Sequence, residues 1–586
     1  MAQVAKIWQL LPHDPQAVER LASALSISPI AAQLLLNRGL CDREDAKRFL
    51  ESPLSGLHSP ERLPGISAAA DRLLDAVRAK KKVCIYGDYD TDGITGTAIL
   101  WQLLHLLDVP VEFHVPNRLD HGYGLRVEPL RQFAQQGTQM VVTVDCGITA
   151  VEEADEARRL GIDLIITDHH EQLPELPRAD VLVHPRLPGG DYPFGGLSGA
   201  GVAFKLAWTL AMRVSGSDKV APHLREFLLD AVALASLGLI ADVVPLQDEN
   251  RIFVKHGLAR IRTSPSVGVR ALLESAGLTP GKAIKAEDVA FKLAPRLNAA
   301  GRLGCARLVV ELLTTTNVTK ARDLAAYLDG QNRERQGFER KIGAQAREML
   351  EKSGFADLPA IVLADTDWHP GVIGIVAGRL AEQFGKPTLL IASRSDPAAG
   401  SGRSIPGFAL HEALQACTDC LQSHGGHAAA AGFRVALDQV DRFRDKFCEY
   451  AAAHFPGGTP APRLTLDAEI PLSTLTMGLL SEIDRLEPYG AHNPRPRFLA
   501  GGLEIVGEPK RIGGGDRHLS FRVRQSGANI RAVAFGMGER IDELMSAGGR
   551  CCLAFTPKLN EWNGYKNVEI EVSDFQPGEL ARLGGG

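Results

Sequence analysis

The stretch VCIYGDYDTDGITGTAIL, Val83 to Leu100, decides how this chain is read. A short apolar run leads to three aspartates at alternate positions (Asp88, Asp90, Asp92), then a glycine, then apolar residues at helical spacing (Ile94, Ala98, Leu100, Leu103, Leu104). The pattern predicts strand, loop and helix, with the aspartates at the carboxyl end of the strand, where open α/β sheets place their ligands. Three carboxylates in one turn repel one another unless a cation lies among them. Calcium-binding EF-hand loops open on the same Asp-x-Asp-x-Asp-Gly, but they carry a glutamate at position twelve and helices on both flanks. Position twelve here is Ile99, and the leading flank reads as a strand. A solvated Asp-rich turn would need no ligand-type residues elsewhere in the chain.

Such residues are present. From about 61 to 250 apolar strands alternate with amphipathic helices, which predicts a mainly parallel sheet covered on both faces. VVTVDCG ends in Asp145, IITDHH in Asp168, His169 and His170, and LLDAVALASLGLIADVV sets Asp242 in an apolar run. Each alone fits a satisfied core hydrogen bond. A parallel sheet, however, brings the ends of neighbouring strands to one edge, so Asp88, Asp90, Asp92, Asp145, His169 and His170 are expected together. Mixed carboxylate and imidazole donors suit Mn2+ or Mg2+ better than calcium, and their number suits two ions sharing Asp145.

GDYDTDG, VVTVDCG, TDHH and the Asp242 segment together resemble the DHH phosphoesterase superfamily. PNRLDHGYGL, APRLNAAGR and GGHAAAAGF further resemble its single-strand-specific exonucleases. The resemblance implies two-metal hydrolysis of single-stranded DNA from the 5′ end, releasing 5′-mononucleotides in DNA repair and recombination. It implies one ion on Asp90 and Asp145 with Asp88 nearby, and another on Asp92, Asp145, His169 and Asp242. Asp88 and His170 are then the catalytic candidates, His170 orienting a phosphate or donating a proton. Many relatives have histidine where this chain has Tyr86, a poor ligand at neutral pH, which leaves the first ion's ligand set open. Arg118, Arg302, Ser401 and Arg403 match positions that hold a terminal 5′-phosphate, a task that suits guanidinium groups. Asn298 and His427 join the implied substrate contacts, and Tyr123 is placed to stack on a base. The candidate protein partners are a single-stranded-DNA-binding protein and a helicase. The superfamily's phosphodiesterases of small nucleotides or oligonucleotides are the alternative, but they would need no C-terminal barrel.

At 586 residues, 45% hydrophobic and 23% charged, the chain is long enough for several globular domains. We expect an N-terminal helical segment (1–60), the catalytic α/β domain (61–250), a helical connector (251–355) ending in one long helix, a second α/β domain (356–456) and an OB-type β-barrel (457–586). The barrel reading rests on short strands after 460: LTLDAEI, RFLAGGLEIVGEPKRI, HLSFRVRQ, NIRAVAFGM and RCCLAFTPKLN. Net charge is −5, yet between 495 and 531 Arg495, Arg497, Lys510, Arg511, Arg517, Arg522, Arg524 and Arg531 face only Glu504, Glu508 and Asp516. Arg511, Arg522 and Arg524, with Phe521 and Trp562 as stacking platforms, are expected to hold a single strand. Nine scattered cysteines, no signal-peptide pattern and no apolar run of membrane-spanning length indicate a cytoplasmic protein without membrane partners.

Overall fold

The computed structural model describes residues 6–116, 124–279, 281–546, 548–562 and 565–578, and divides into two compact units. The first contains residues 54–460. Its opening sheet is parallel throughout, in the spatial order Val111–His114, Val83–Gly87, Met140–Val144, Asp163–Thr167, Val181–Val183. The strands Val83–Gly87 and Met140–Val144 are buried at every residue, because helices cover both faces.

The helices expected as a connector share the first core. Phe253, Leu272, Val289, Leu297, Val309 and Leu328 pack in one cluster with Val83, Ile85 and Val142. The helix Val318–Ser353, 36 residues and so about 54 Å long, begins in that core at Ala321, Ala325 and Leu328. It ends in another, at Ile342, Ala346 and Leu350, against a second five-stranded sheet. That sheet runs Ser423–Gly426, Ala430–Val435, Ala398–Arg403, Thr388–Ala392, Ile361–Asp365, with only the last pair parallel. Between the helix's two apolar ends lies a buried polar belt. Arg335 donates to Asn332 and Glu339, and Glu339 also pairs with Arg379.

The second unit joins residues 6–53 to residues 461–578. Its barrel strands are Phe498–Ile512, His518–Gln525, Ala528–Ala534, Arg550–Trp562 and Tyr565–Pro577, closed where the first meets the fourth. Two sequence expectations are corrected. LTLDAEI is split: Leu464–Leu466 belongs to a strand that pairs in parallel with Ile7–Leu10, only Ala468–Glu469 joins the barrel sheet, in parallel with Phe498–Leu499, and Tyr565–Pro577 completes the barrel. The N-terminal segment is not a separate appendage either, because its helices complete the barrel's core through Val18, Leu21, Leu34 and Leu35. Trp8 Nε1 donates to Asp574 Oδ2 (2.8 Å), and Arg38 donates to Asn493 Oδ1 and Pro494 O (2.7 Å each). No helix among the described residues is long and apolar enough to cross a membrane.

Trp8, Leu34 and Leu35 are at most 1% exposed. Each such burial contributes roughly 1.5–3 kcal/mol, a sum comparable to the whole stability of a domain. Residues 461–578 alone should therefore fail to melt cooperatively, whereas residues 6–53 linked to 461–578 should do so. Circular dichroism on the two proteins checks this, and equal melting would refute it.

Candidate active site

Three parallel strands and one helix end at a common edge. Strand Val83–Gly87 delivers Asp88, and Asp90 caps the helix Thr91–Leu106, its Oδ1 accepting from Asp92 N (2.9 Å) and Gly93 N (3.2 Å). Glycine is needed at 93, because a Cβ there would fall 2.7 Å from Asp88 N. Strand Met140–Val144 delivers Asp145, whose φ of 65° lies in the left-handed region that Asp tolerates better than most residues. Strand Asp163–Thr167 delivers Asp168, His169 and His170. Asp242 caps the carboxyl end of the helix Pro222–Ala241.

The ligand-type atoms converge. His169 Nε2 lies 3.1 Å from Asp145 Oδ1, 3.6 Å from Asp242 Oδ2 and 3.9 Å from Asp92 Oδ2. Donor atoms of Asp88, Asp90 and Asp145 lie within 4.8 Å of one another, as do those of Asp92, His169 and Asp242, and those of Asp145, His169 and His170. Tyr86 plays no part in these groups. It belongs to the opposite face of the sheet, stacked on His114, and its hydroxyl donates to Gly124 O (3.1 Å).

Electrostatics set the site's protonation. Burial, reinforced by Asp90, pushes Asp92 up to about 7. Burial and then the charge of Asp92 push Asp242 up to about 9, and Asp145 is raised well above the carboxylate range by burial, Asp92 and Asp90. Burial lowers His169 to about 3, which keeps its imidazole neutral. Burial opposes charge on Asp168 and His170 too, but the 2.8 Å hydrogen bond between them outweighs it, holding Asp168 at about 2 and His170 at about 9. Divalent cations fit this donor set. Among the described residues the buried His169 Nε2 makes no hydrogen bond, and oxygens of Asp145, Asp242 and Asp92 lie 3.1, 3.6 and 3.9 Å from it, so a cation there would meet nitrogen and oxygen donors together.

A cavity of about 300 Å³ opens on the cluster, lined by Asp88, Tyr89, Asp90, His170, Ala241, Asn298 and Arg302. The helix Ala294–Arg302 presses against the aspartate loop, where a Cβ at Gly301 would fall 2.4 Å from Tyr89 O. Asn298 Oδ1 accepts from Thr91 N (2.8 Å) and Thr91 Oγ1 (2.7 Å). Arg302 reaches the second α/β region, donating to Gly371 O (3.2 Å). Two residues beyond its Gly371 partner the helix Ile373–Phe384 begins, and Ser401 and Arg403 flank its first turn: a Cβ at Gly374 would lie 2.7 Å from Ser401 Oγ and 3.3 Å from Arg403 Nη2. His427 sits exposed on the turn between Ser423–Gly426 and Ala430–Val435 and does not line the cavity. Arg118 and Tyr123 lie outside the described residues, as does the side chain of Trp562.

In the barrel unit Phe521 is corrected from a stacking platform to a core residue. It is 4% exposed and packs with Leu519 and Val523. Arg522 donates to the neutral Asn529 (3.0 Å), Arg524 pairs with Glu504 (2.8 Å), and Arg511 donates to Gly538 O (3.0 Å).

Family models match three segments of this chain: the DHH family N-terminal domain over 82–236, the DHHA1 domain over 357–453 and the RecJ OB domain over 466–574. The single-stranded-DNA-specific exonuclease RecJ of Bacillus subtilis is 37% identical over 569 residues, covering 97% of this chain and 70% of its own. The chain belongs to the RecJ family. The crystal structure of RecJ in complex with Mn2+ from Thermus thermophilus superposes with a TM-score of 0.84 at 35% identity, covering 99% of this chain and 80% of that one. The Mg2+ complex from the same organism gives 0.78 at 34% identity, covering 98% and 79%. No signal in the sequence pointed to Ser198, Gly199 and Gly238, which surround Asp92 and Asp145 in this RecJ-family site. Small residues carry no chemical pattern, and closeness is what makes them matter here.

The folded protein holds protons on Asp92 and Asp242 more tightly than the unfolded chain, whose aspartates titrate near about 3.9. The stability this gives is full below about pH 4 and is lost as the pH rises through about 7 to 9. Metal-free protein should therefore melt at progressively lower temperature as the pH rises from about 5 to about 9, and Mn2+ should restore the loss. A melting temperature independent of pH without metal would contradict this.

Proposed function

We propose that this chain hydrolyses single-stranded DNA from its 5′ end, releasing 5′-mononucleotides, with two divalent cations, Mn2+ or Mg2+. The observation that carries the reading is a single cavity in which the carboxylate and imidazole cluster faces Arg302 and Asn298. Asp88, Asp90 and Asp145 would hold one ion, and Asp92, His169 and Asp242 the other, with Asp145 shared. When bound, such ions supply charge neutralisation at phosphoryl oxygens and an acidified water. The chain's own groups do the rest. His170, held by its 2.8 Å hydrogen bond to Asp168, presents an imidazole at the cavity wall as the proton donor. Asp88 lies on the same wall, positioned to accept a proton as well as to ligate.

Arg302 binds the terminal phosphate, and Ser401 and Arg403 extend that pocket at the first turn of Ile373–Phe384, where backbone N–H groups and the helix dipole also favour an anion. In the barrel, a cleft of about 460 Å³ lined by Arg522, Asn529, Asn567 and an Arg531–Glu569 pair (3.1 Å) over Leu472, Leu475 and Ile530 offers a strand the charge of Arg522 together with polar and apolar contact. A small-nucleotide phosphodiesterase would leave this cleft and the RecJ OB match without use. The cytoplasm is the proposed location, supported by the scatter of nine cysteines along the chain. A single-stranded-DNA-binding protein and a helicase are the proposed partners, since the substrate must first be unwound and is then coated.

Labelled oligonucleotides test the reading. A strand with a 5′-phosphate should be cut faster than its 5′-hydroxyl twin, and Arg403→Ala should narrow the difference; equal wild-type rates would sink the pocket.

Single-strand affinity should fall with salt by about 0.7 log units per log unit for each phosphate contact. Arg522→Ala should remove about one such contact, while Arg524→Ala, whose guanidinium Glu504 already neutralises, should change the slope less. Binding titrations from low to high salt check the order, and the reverse order would refute it.

A further inference from the structure

Asp92 is held differently from the other carboxylates. Ser198 Oγ donates to its Oδ1 (2.8 Å), Ala200 N donates to the same oxygen (3.1 Å), and Gly199 N donates to Oδ2 (2.6 Å). These donors are the cap and first two residues of the 17-residue helix Gly199–Ser215, whose dipole favours a carboxylate at that end. The fit leaves no slack. A Cβ at Gly199 would fall 2.5 Å from Asp145 Oδ1, and one at Gly238 would fall 2.4 Å from Asp92 Oδ1. Asp90, by contrast, is held by the N–H groups of Asp92 and Gly93 at the start of a different helix.

The two oxygens of Asp92 are therefore unequal. Oδ1 already accepts from two groups, whereas Oδ2 accepts from one and faces His169 Nε2 at 3.9 Å. A carboxylate oxygen carries two lone-pair sites, so Oδ2 is the atom left to ligate. Ser198 is fully buried, and its hydroxyl has two tasks: it donates to Asp92 and accepts from Gly201 N (3.3 Å) as the helix cap.

We propose that Ser198 is a positioning residue for one half of the two-ion centre: by occupying Asp92 Oδ1 it aims Oδ2 at His169 and Asp242 and sets the affinity of that half-site alone. The inference rests on the two-ion reading given above. Partners that orient a ligand in this way typically change metal affinity by about 10–100-fold when removed.

The test separates the clamp from the cap. Glycine is nearly as good a helix cap as serine but has no hydroxyl, so Ser198→Gly removes the clamp and spares the helix start. Full-length protein stripped of metal is titrated with Mn2+ alone, followed by calorimetry and by the Mn2+ paramagnetic resonance signal. Wild type should show two binding classes. Ser198→Gly should weaken one of them by about 10–100-fold and leave the other unchanged, and Ser198→Thr, which keeps the hydroxyl, should restore it. If Ser198→Gly does not fold, Ser198→Cys, similar in size with a weak donor, should show the same one-class loss to a smaller degree. Loss of both classes together, loss of neither, or no rescue by threonine overturns the proposal. A single class in wild type overturns the two-ion reading, and the proposal with it.

Discussion

The candidate site depends on keeping the buried Asp92 and Asp145 and the part-buried Asp242 close together where their charges oppose one another. The fold supplies the force that holds them. Buried strands fix where Asp88 and Asp145 emerge, and the start of the helix Gly199–Ser215 grips Asp92 through backbone N–H groups that cannot swing away. Repulsion that would scatter flexible side chains is stored instead as affinity, first for protons and then for cations that displace them. The rigidity also explains the glycines: each close approach that sustains the cluster leaves no room for a side chain at 93, 199 or 238.

The convergence of the ligand-type residues was legible because few residue types can ligate a hard cation, and because a parallel sheet converts separate strand ends into one edge. Asp88, Asp90, Asp92, Asp145, His169 and His170 required no more than that. Phe521 shows a pattern that was present and misread. HLSFRVRQ alternates, so if Arg522 and Arg524 face solvent then Leu519, Phe521 and Val523 must face inward. The pairing of Ile7–Leu10 with Arg463–Leu466 was not legible at all, since nothing local announces a partner so distant in the sequence. The shared core of the connector helices was hidden for the same reason.

The long helix has a composition that periodicity describes poorly. Its two apolar ends serve different cores, while the polar Asn332, Arg335 and Glu339 between them are 3%, 8% and 5% exposed. A buried ion pair with its hydrogen bonds satisfied contributes little net stability, but breaking it by removing one partner is costly. Most of these bonds stay within the helix, and only Glu339 reaches another element, pairing with Arg379 on the helix Ile373–Phe384. The helix itself is the shared element, packed at one end in the core that carries Arg302's helix and at the other against the sheet that carries Ser401 and Arg403.

The order of synthesis follows from the split barrel unit. The ribosome makes Ile7–Leu10 early, but its partner Arg463–Leu466 emerges only after the entire first unit. At about 5–20 residues per second the N-terminal strand and its apolar helices wait for roughly half a minute or more. During that interval Trp8, Leu34 and Leu35 have no native surface to cover them, and they are candidates for chaperone capture or premature association. The carboxylate and imidazole cluster lies wholly in the first unit, so it can be complete while the barrel unit still lacks most of its strands.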